Sequence, residues 1–336
     1  MLEPGIVLAV GPNGAGKTNL LESLHVAAQG FSPRTRSDVQ LIRFGEQGAR
    51  IDVSGDHAGS LVAVEVTLRA GEAKRALLNG SPLRTAEELR TRFPVLVFTP
   101  DRLAIVKGGP AVRRAYFDRS LARLQPSRSS LATEYAAALA QRNAALRRLA
   151  AGYSSPEALE PWTQRVAELG TRLVAARREL VGLLSPSFAR AAGQLRVGVG
   201  DLRYEGEAPS QEELDRRLDQ DLARGFTGVG AHLHDVVISA DGRDLRHYGS
   251  QGEQRLAVLS LVLAEAEVLV ERGHGGPLLL LDDVLSELDP ERRTILADRL
   301  RSFGTQAFLT ATAASALPAS PDELIEVSPG YARRAA

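Results

Sequence analysis

The stretch GPNGAGKTNLLE, residues 11–22, decides the fold. An apolar run, Ile6 to Val10, leads into it, and apolar residues at helical spacing follow it. The glycines and the Lys-Thr pair have the spacing of a phosphate-binding loop, and the flanking strand and helix are the context in which that motif occurs. In such a loop the backbone N–H groups and the helix N-terminus favour bound phosphate. The stretch therefore predicts a nucleotide site.

Each side chain of this loop has an expected role. Lys17 should reach the β- and γ-phosphates and assist catalysis, while the Thr18 hydroxyl should coordinate Mg²⁺. The expected ATP-binding residues are Gly11, Asn13, Gly14, Ala15, Gly16, Lys17, Thr18 and Asn19. A Gly-rich turn that contains Lys-Thr by chance is the alternative, and the flanking strand and helix disfavour it.

Two carboxylates follow a second apolar run. Pro277 to Leu281 fits a strand that is buried on both faces, and Asp282 and Asp283 come directly after it. Because ligands bind at the carboxyl ends of parallel strands, both side chains should face the crevice of the phosphate loop. We expect Asp282 to hold Mg²⁺ and Asp283 to orient or deprotonate the attacking water. A solvated acidic turn is the alternative.

A third motif is GSQGEQR, residues 249–255, which opens a helix just before an apolar stripe. Taken alone it indicates an N-cap and a turn. Its small residues and free N–H groups also form a second surface suited to phosphate, one helix before the carboxylate strand. The candidate residues are Ser250, Gln251, Gly252 and Glu253.

The order of elements indicates an α/β fold with a parallel sheet covered by helices. Strand signals with turns, such as NGSP at residues 79–82, dominate the first hundred residues. A helical insertion without a long heptad run covers about residues 111–195, with breaks expected at Pro126, residues 152–156 and Ser185-Pro186. At the end, Asp289 should cap a helix that stops at Gly304, before the strand QAFLTAT.

Composition excludes several classes of function. The 336 residues contain no cysteine, so disulfides, thiolate metal sites and thiol catalysis are excluded. Lys plus Arg equals Asp plus Glu at 41 each, so any DNA-binding surface must be a local patch. No apolar stretch approaches the ~20 residues that span a bilayer, and no export signal opens the chain. We expect a soluble cytoplasmic protein that does not associate with membranes.

Together the motifs resemble those of the ABC-type ATPases, a superfamily that includes the SMC-like repair enzymes. Within it the chain is similar to the RecF family, on GPNGAGKTNLLE, FTPDRLAIVKGGPAVRRAYFD (98–118), YGSQGEQR (248–255) and LLLLDDVLSELD (278–289). The resemblance implies an ABC-type P-loop ATPase head with two lobes. Lobe I, residues 1–105 and 273–336, would contain a mixed β-sheet, and lobe II, residues 106–272, would be mainly helical without a long coiled coil.

The resemblance also implies a mechanism. Two subunits would form an ATP-dependent homodimer, with the residues 250–253 of one contacting ATP held by the other, and Ser286 and Asp289 would belong to the D-loop that joins the two sites. RecF proteins bind DNA and, with RecO and RecR, help to load recombinase at single-strand gaps. The implied partners are thus duplex and gapped or single-stranded DNA junctions, RecO and RecR, and the implied cofactors are ATP and Mg²⁺.

The chain departs from the family pattern in three places. The extra N-terminal strand and the Asn-Phe-Arg stretch that usually precede the phosphate loop are missing. An element that is usually Gly-Pro-His-Arg-Asp reads GAHLHD at residues 230–235, so that His232 and Asp235 match but the Arg does not. Thr310 lies near the place of the transporter switch histidine, and Asp283 is one methylene shorter than the usual Glu. The last two differences predict slow hydrolysis.

DNA contact rests on the family resemblance rather than on charge pattern. Any individual arginine fits a solvated helical face equally well, whereas a phosphate contact would bind without reading bases. The candidate arginines are Arg34, Arg36, Arg43, Arg113, Arg114, Arg119, Arg123, Arg142, Arg147 and Arg148. Two rival functions stay open, the nucleotide-binding subunit of a membrane transporter and a small-molecule P-loop kinase. Stimulation of ATP hydrolysis by double-stranded DNA would oppose both.

Overall fold

The computed structural model describes residues 5–35, 37–57, 60–83, 85, 89–90, 93–273 and 276–335. The chain folds as two compact units. Unit 1 comprises Met1–Leu103, Gln194–Arg196 and Val258–Ala336, and unit 2 comprises Ala104–Gly193 and Val197–Ala257. The division after residue 257 lies inside a long helix. The lobe bounds after residues 105 and 272 stay a prediction from the sequence.

The strands, numbered along the described chain, are β1 Ile6–Val10, β2 Gly48–His57, β3 Ser60–Arg69, β4 Arg75–Leu78, β5 Ser81–Pro82, β6 Val95–Phe98, β7 Gly200–Glu205, β8 Asp235–Ala240, β9 Arg243–Asp244, β10 Leu278–Leu281, β11 Ala307–Ala311, β12 Glu323–Ser328 and β13 Tyr331–Arg334. Among the described residues, six of them form the main sheet of unit 1 in the order β13-β12-β1-β11-β10-β6. Its pairs are parallel except for β12 with β13, so the sheet is mixed as expected.

The main sheet determines which loops meet. β1 pairs with β11 in the register Leu8 to Leu309, and β11 pairs with β10 in the register Phe308 to Leu280. Because these strands are parallel, their carboxyl ends share one edge of the sheet. That edge carries the phosphate loop after β1, the carboxylates after β10 and Thr310 near the end of β11.

The helices are α1 Lys17–Gln29, α2 Ala104–Lys107, α3 Pro110–Leu124, α4 Leu131–Ala150, α5 Glu160–Gln194, α6 Gln211–Arg216, α7 Leu218–Arg224, α8 Leu245–Tyr248, α9 Gln251–Glu271 and α10 Pro290–Ser302. Within unit 1, α1 separates two apolar clusters. Leu21 packs with the main sheet, whereas Val26 and Ala27 pack with the antiparallel sheet β2-β3-β4-β5. Burial on two sides thus fixes α1 and the loop before it.

Several local predictions for unit 1 are confirmed. Asn79 and Gly80 have φ of 49° and 79°, as a tight hairpin turn requires. The Asp289 side chain accepts a hydrogen bond from the Arg292 N–H and caps α10, which has Pro290 in its first turn. Gly304 follows α10 with φ of 61°. These residues fix where each element begins and ends.

Unit 2 contains the helical insertion and the antiparallel sheet β7-β8-β9. The break expected at Ser185-Pro186 is wrong, because α5 runs through Pro186 without ending. Its apolar face continues across the proline with Leu184 and Phe188, both buried. Burial of that face outweighs the backbone hydrogen bond that a proline removes. In the described part of the chain, no helix has the length and hydropathy that crossing a membrane demands.

Candidate nucleotide site

Glycines shape the phosphate loop in two ways. Gly14 and Gly16 adopt φ of 80° and 104°, values that disfavour an L side chain. At Gly11 the constraint is space, because a Cβ there would lie 2.1 Å from the backbone oxygen of Val327, which belongs to β12. The loop therefore leaves β1 close against its neighbouring strand, and its left-handed residues give the backbone the form of an anion-binding turn.

Lys17 lies over this loop. Its Nζ donates hydrogen bonds to the backbone oxygens of Gly11 and Pro12, at 2.7 and 3.0 Å. Asn13 and Asn19 are exposed on either side, whereas Ala15 is buried under the loop. The ammonium group is thus held beside the loop, where its positive charge could pair with a bound phosphate.

The second part of the site joins three elements of unit 1. The Thr18 Oγ lies 3.1 Å from each carboxylate oxygen of Asp282, although 264 residues separate them. The Thr310 Oγ donates to Asp282 Oδ1 at 2.7 Å and accepts the Asp283 N–H at 2.8 Å. Asp282 and Thr310 are 6 % and 1 % exposed. A single buried hydroxyl therefore orients the carboxylate of Asp282 and the backbone of Asp283.

This donor set fits Mg²⁺. A hydroxyl and a carboxylate that face each other are hard oxygen ligands, and Mg²⁺ is usually held by one or two such groups together with phosphates and water. Thr18 and Asp282 are the residues that would hold it beside a nucleotide.

Asp283 and the loop after it are arranged differently. Asp283 is exposed and has φ of 50°, a left-handed conformation uncommon outside glycine. The Ser286 Oγ donates to the backbone oxygen of Asp283 at 2.8 Å. Further along the loop, Asp289 has a lowered pKa, mainly because its carboxylate accepts a hydrogen bond from the Arg292 N–H. Asp283 itself is exposed, so its carboxylate faces solvent at the sheet edge, next to the buried Asp282.

The candidate signature residues lie in unit 2, at the start of α9. The Ser250 Oγ accepts the Glu253 N–H at 3.2 Å, and Glu253 Oε2 accepts the Ser250 N–H at 2.7 Å, so the two form a capping box. That backbone bond is the main cause of the lowered pKa of Glu253. Gln251 and Gly252 are exposed in the first turn. The helix thus begins with exposed small and polar groups.

Known proteins match this chain along nearly all of its length. The family described as RecF/RecN/SMC N terminal domain matches residues 1–333. A curated relative from Heliobacterium modesticaldum, "DNA replication and repair protein RecF", is 36 % identical over 338 residues, which cover 96 % of this chain and 89 % of the relative. The chain belongs to the RecF family. A relative of the same name from Myxococcus xanthus is 38 % identical over 327 residues, covering 91 % and 84 % of the two chains.

Solved structures agree with the RecF assignment. Two structures of "the recombination mediator protein RecF" in the "RecFOR pathway", described as RecF-ATPrS and RecF-ATP, have TM-scores of 0.84 and 0.85 and are 28 % and 29 % identical to this chain. Each covers 99 % of this chain, which in turn covers 93 % and 92 % of them. An Smc head domain derived from Pyrococcus furiosus has a TM-score of 0.59 at 18 % identity, with 99 % and 90 % coverage, and shows the fold alone. The ABC/SMC-like ATPase fold is therefore confirmed.

The structure corrects two of the DNA candidates in this RecF-family chain. Arg113 is 3 % exposed, and its guanidinium bonds to both carboxylate oxygens of Asp235 at 2.7 and 2.6 Å. Arg142 is 0 % exposed and pairs with Asp221 at 2.8 Å. Buried guanidinium groups with carboxylate partners do not present their charge to a phosphate in solvent. Both arginines stabilise unit 2 instead.

The other arginine candidates differ in exposure. Arg114 is half-buried, its Nη1 donates to the backbone oxygen of His234 at 2.6 Å, and burial is the main cause of its lowered pKa. Arg119 is exposed on α3. Arg123 is half-buried, whereas Arg34, Arg43, Arg147 and Arg148 are exposed. Arg36 lies outside the described residues.

The GAHLHD element has structural contacts in this RecF-family chain. The His232 Nδ1 lies 2.9 Å from the Tyr135 hydroxyl and its Nε2 lies 3.1 Å from the Thr227 oxygen. The Asp235 carboxylate accepts hydrogen bonds from Arg113. The two residues that match the family pattern therefore both make contacts within unit 2. Burial lowers the pKa of His232 and raises the pKa of Tyr135 to about 12.

Sequence reasoning missed what Thr310 does. The sequence comparison places Thr310 near the position of a switch histidine, whereas its observed contacts are with Asp282 and Asp283. The available signal was the pairing of two parallel apolar strands, which brings polar residues at their carboxyl ends together. On that basis, a polar residue near the end of QAFLTAT is expected to form a hydrogen bond with the carboxylates after β10.

Proposed function

We propose that this chain is an ATP-dependent DNA-binding protein of recombinational repair and replication-gap processing. ATP binding would close a head-to-tail homodimer on DNA, and slow hydrolysis would release it. In this role it would assist recombinase loading with RecO and RecR in the cytoplasm. The observation that carries the proposal is the approach of Thr18 to Asp282 beside the phosphate loop, in a chain of the RecF family.

The residues of unit 1 give this proposal its chemistry. Lys17 and the loop N–H groups would bind the phosphates, and Thr18 and Asp282 would hold Mg²⁺. Bound Mg²⁺ would neutralise charge that develops on the phosphates. Asp283, exposed beside Asp282, would orient or deprotonate the attacking water.

The trans contact is assigned to the start of α9. Ser250, Gln251, Gly252 and Glu253 of one subunit would meet the γ-phosphate held by the other. The capping box engages the Ser250 and Glu253 N–H groups, whereas Gln251 and Gly252 are exposed in the first turn. The positive end of the helix dipole at this turn favours an anion, which supports the assignment. Ser286 and Asp289 of the loop after Asp283 would join the two sites.

DNA would be bound through phosphates. Arg119, which is exposed, would contribute with Arg114, while the buried Arg113 and Arg142 would not. The affinity of such contacts falls as the salt concentration rises, because the release of counterions that accompanies binding becomes less favourable. The names of the solved relatives, which place them in the RecFOR pathway, support RecO and RecR as partners.

The experiment is a comparison of ATP hydrolysis with no DNA, duplex DNA, gapped DNA and single-stranded DNA at two salt concentrations. We expect slow turnover that DNA stimulates, more strongly at low salt. A rate unaffected by every DNA would oppose the proposal and favour a transporter subunit or a small-molecule kinase. The Arg119→Glu protein should lose most of the stimulation while keeping the basal rate.

A further inference from the structure

The loop between Asp283 and α10 has few hydrogen bonds of its own: the Leu288 N–H donates to the Leu285 oxygen at 3.4 Å, and the Ser286 Oγ donates to the Asp283 oxygen at 2.8 Å. Val284–Glu287 is a single short 3₁₀ turn, and Leu288 is extended before the helix cap at Asp289. The last carbonyls of so short a helix can accept further hydrogen bonds from outside it. A side chain that donates to them helps the loop to hold one conformation.

Arg293, one turn into α10, provides these hydrogen bonds. Its Nε donates to the backbone oxygens of Leu285 and Leu288, each at 2.9 Å. Its Nη1 donates to the backbone oxygen of Ala316 at 3.3 Å. Ala316 belongs to the short turn that follows β11. One guanidinium therefore contacts the chain after β10 and the chain after β11.

The two segments are those that leave the catalytic edge of the main sheet. The loop after β10 begins at Asp283, and β11 carries Thr310, which holds the Asp283 N–H. Arg293 thus anchors the far side of a loop whose near side is fixed by Thr310. Arg292, the preceding residue, pairs with Asp289 Oδ2 at 3.1 Å and donates from its Nε to Leu195 O at 2.8 Å. Arg293 is the residue whose guanidinium contacts both this loop and the turn after β11.

We propose that Arg293 is a positioning residue that fixes residues 284–289 relative to Asp283, so that Ser286 and Asp289 meet the partner subunit at a defined place. This inference rests on the proposed dimer mechanism and deepens it. A lysine cannot replace the arginine, because an ammonium lacks the planar fork that reaches several carbonyls at once.

The experiment compares Arg293→Met and Arg293→Lys with wild type. Hydrogen exchange of the backbone amides of residues 284–289 should rise about tenfold in both variants of the free protein, since the loop opens more often. ATP hydrolysis at saturating ATP should fall about tenfold, while the affinity for a fluorescent ATP analogue should stay within about twofold because no phosphate contact is removed.

Arg301→Lys is the matched control. Arg301 lies on the same helix and its Nη2 also donates to a backbone oxygen, that of Ser320, at 3.0 Å. It should leave both readouts unchanged. If Arg293→Met folds poorly, Arg293→Lys, which keeps the charge, supplies the same comparison.

Three results would overturn the inference. These are unchanged exchange in the loop, raised exchange with wild-type hydrolysis, and equal effects from Arg301→Lys. Failure of the proposed function is distinguishable, because it would appear as a wild-type protein that never dimerises with ATP. In that case the exchange measurement on the free protein would still decide whether Arg293 fixes residues 284–289.

Discussion

The nucleotide edge of unit 1 and the interior of unit 2 use charged residues in different ways. At the sheet edge, Lys17 contacts loop carbonyls and Asp283 is exposed. Inside unit 2, Arg142 pairs with Asp221, and Arg177 bonds to both oxygens of Asp118 at 2.7 and 2.8 Å. At the sheet edge, Lys17 and Asp283 have no carboxylate or guanidinium partner among the described contacts, whereas the charges inside unit 2 have partners of opposite charge. The side-chain type alone does not distinguish the two uses.

The largest expected effect is in the interior of unit 2. Arg142→Met should lower the free energy of unfolding by about 3–5 kcal/mol, because it leaves the buried carboxylate of Asp221 without its partner. Urea unfolding followed by Trp162 fluorescence measures this, since Trp162 is the one tryptophan of the sequence and lies in unit 2. Arg148→Met, an exposed change on the same helix, should alter stability by less than about 0.5 kcal/mol. Equal effects would erase the contrast between buried and exposed charges.

The next effect concerns the accessible lysine of unit 1. Lys17→Met should weaken ATP binding about 100-fold, because a charged contact to phosphate is lost. Stability should change little, since Lys17 bonds only to two loop carbonyls in the described structure. Calorimetric titration with ATP gives the affinity, with Lys107→Met, an exposed lysine of unit 2, as control. Wild-type affinity in Lys17→Met would disprove the phosphate site.

A smaller effect is expected at Thr310, a buried residue whose hydroxyl accepts the N–H of the exposed Asp283. Thr310→Val keeps the shape of the side chain but removes the hydroxyl that orients Asp282 and holds the Asp283 N–H. Hydrolysis should fall about tenfold and the Mg²⁺ concentration for half-maximal rate should rise, because the buried carboxylate of Asp282 and the Asp283 N–H both lose a hydrogen-bond partner. Binding of ATP in EDTA should not change.

Thr310→Ser, which retains the hydroxyl, should restore most of the rate and the Mg²⁺ dependence. If the Val and Ser variants behaved alike, the hydroxyl would have no part in the site and Thr310 would only fill space.

The smallest effect is the response of unit 2 to pH. Burial is the main cause of the lowered pKa values of His232 and His234. Their neutral forms are therefore favoured by folding, and the unfolded chain binds protons first as the pH falls. Stability should be constant above about pH 7.5 and decrease as the pH drops below about 6.5, the ordinary value for histidine. Trp162 fluorescence in urea at several pH values tests this, and a His232→Gln, His234→Gln double variant should flatten the curve.

Local sequence patterns predicted much of unit 1 and its site. The phosphate loop, the buried strand before Asp282 and the cap at Asp289 each depend on residues a few positions apart. The burial of Arg113 and Arg142 was not predictable in this way, because their partners lie 122 and 79 positions away. The continuity of α5 through Pro186 likewise depends on tertiary burial of its apolar face. Patterns within one element predict its type, whereas contacts between elements decide what a charged side chain does.

In the proposed mechanism, a second subunit completes the accessible edge of unit 1. The decisive measurement is the mass of the Asp283→Asn protein in solution, by light scattering. Measurements should be made without nucleotide, with ATP and Mg²⁺, and with ATP, Mg²⁺ and a short DNA duplex, using Asp298→Asn as the control for an exposed aspartate. We expect a shift from monomer to dimer that requires ATP and that DNA strengthens, because binding is retained while hydrolysis is blocked. A monomer under all three conditions would disprove the ATP-dependent dimer.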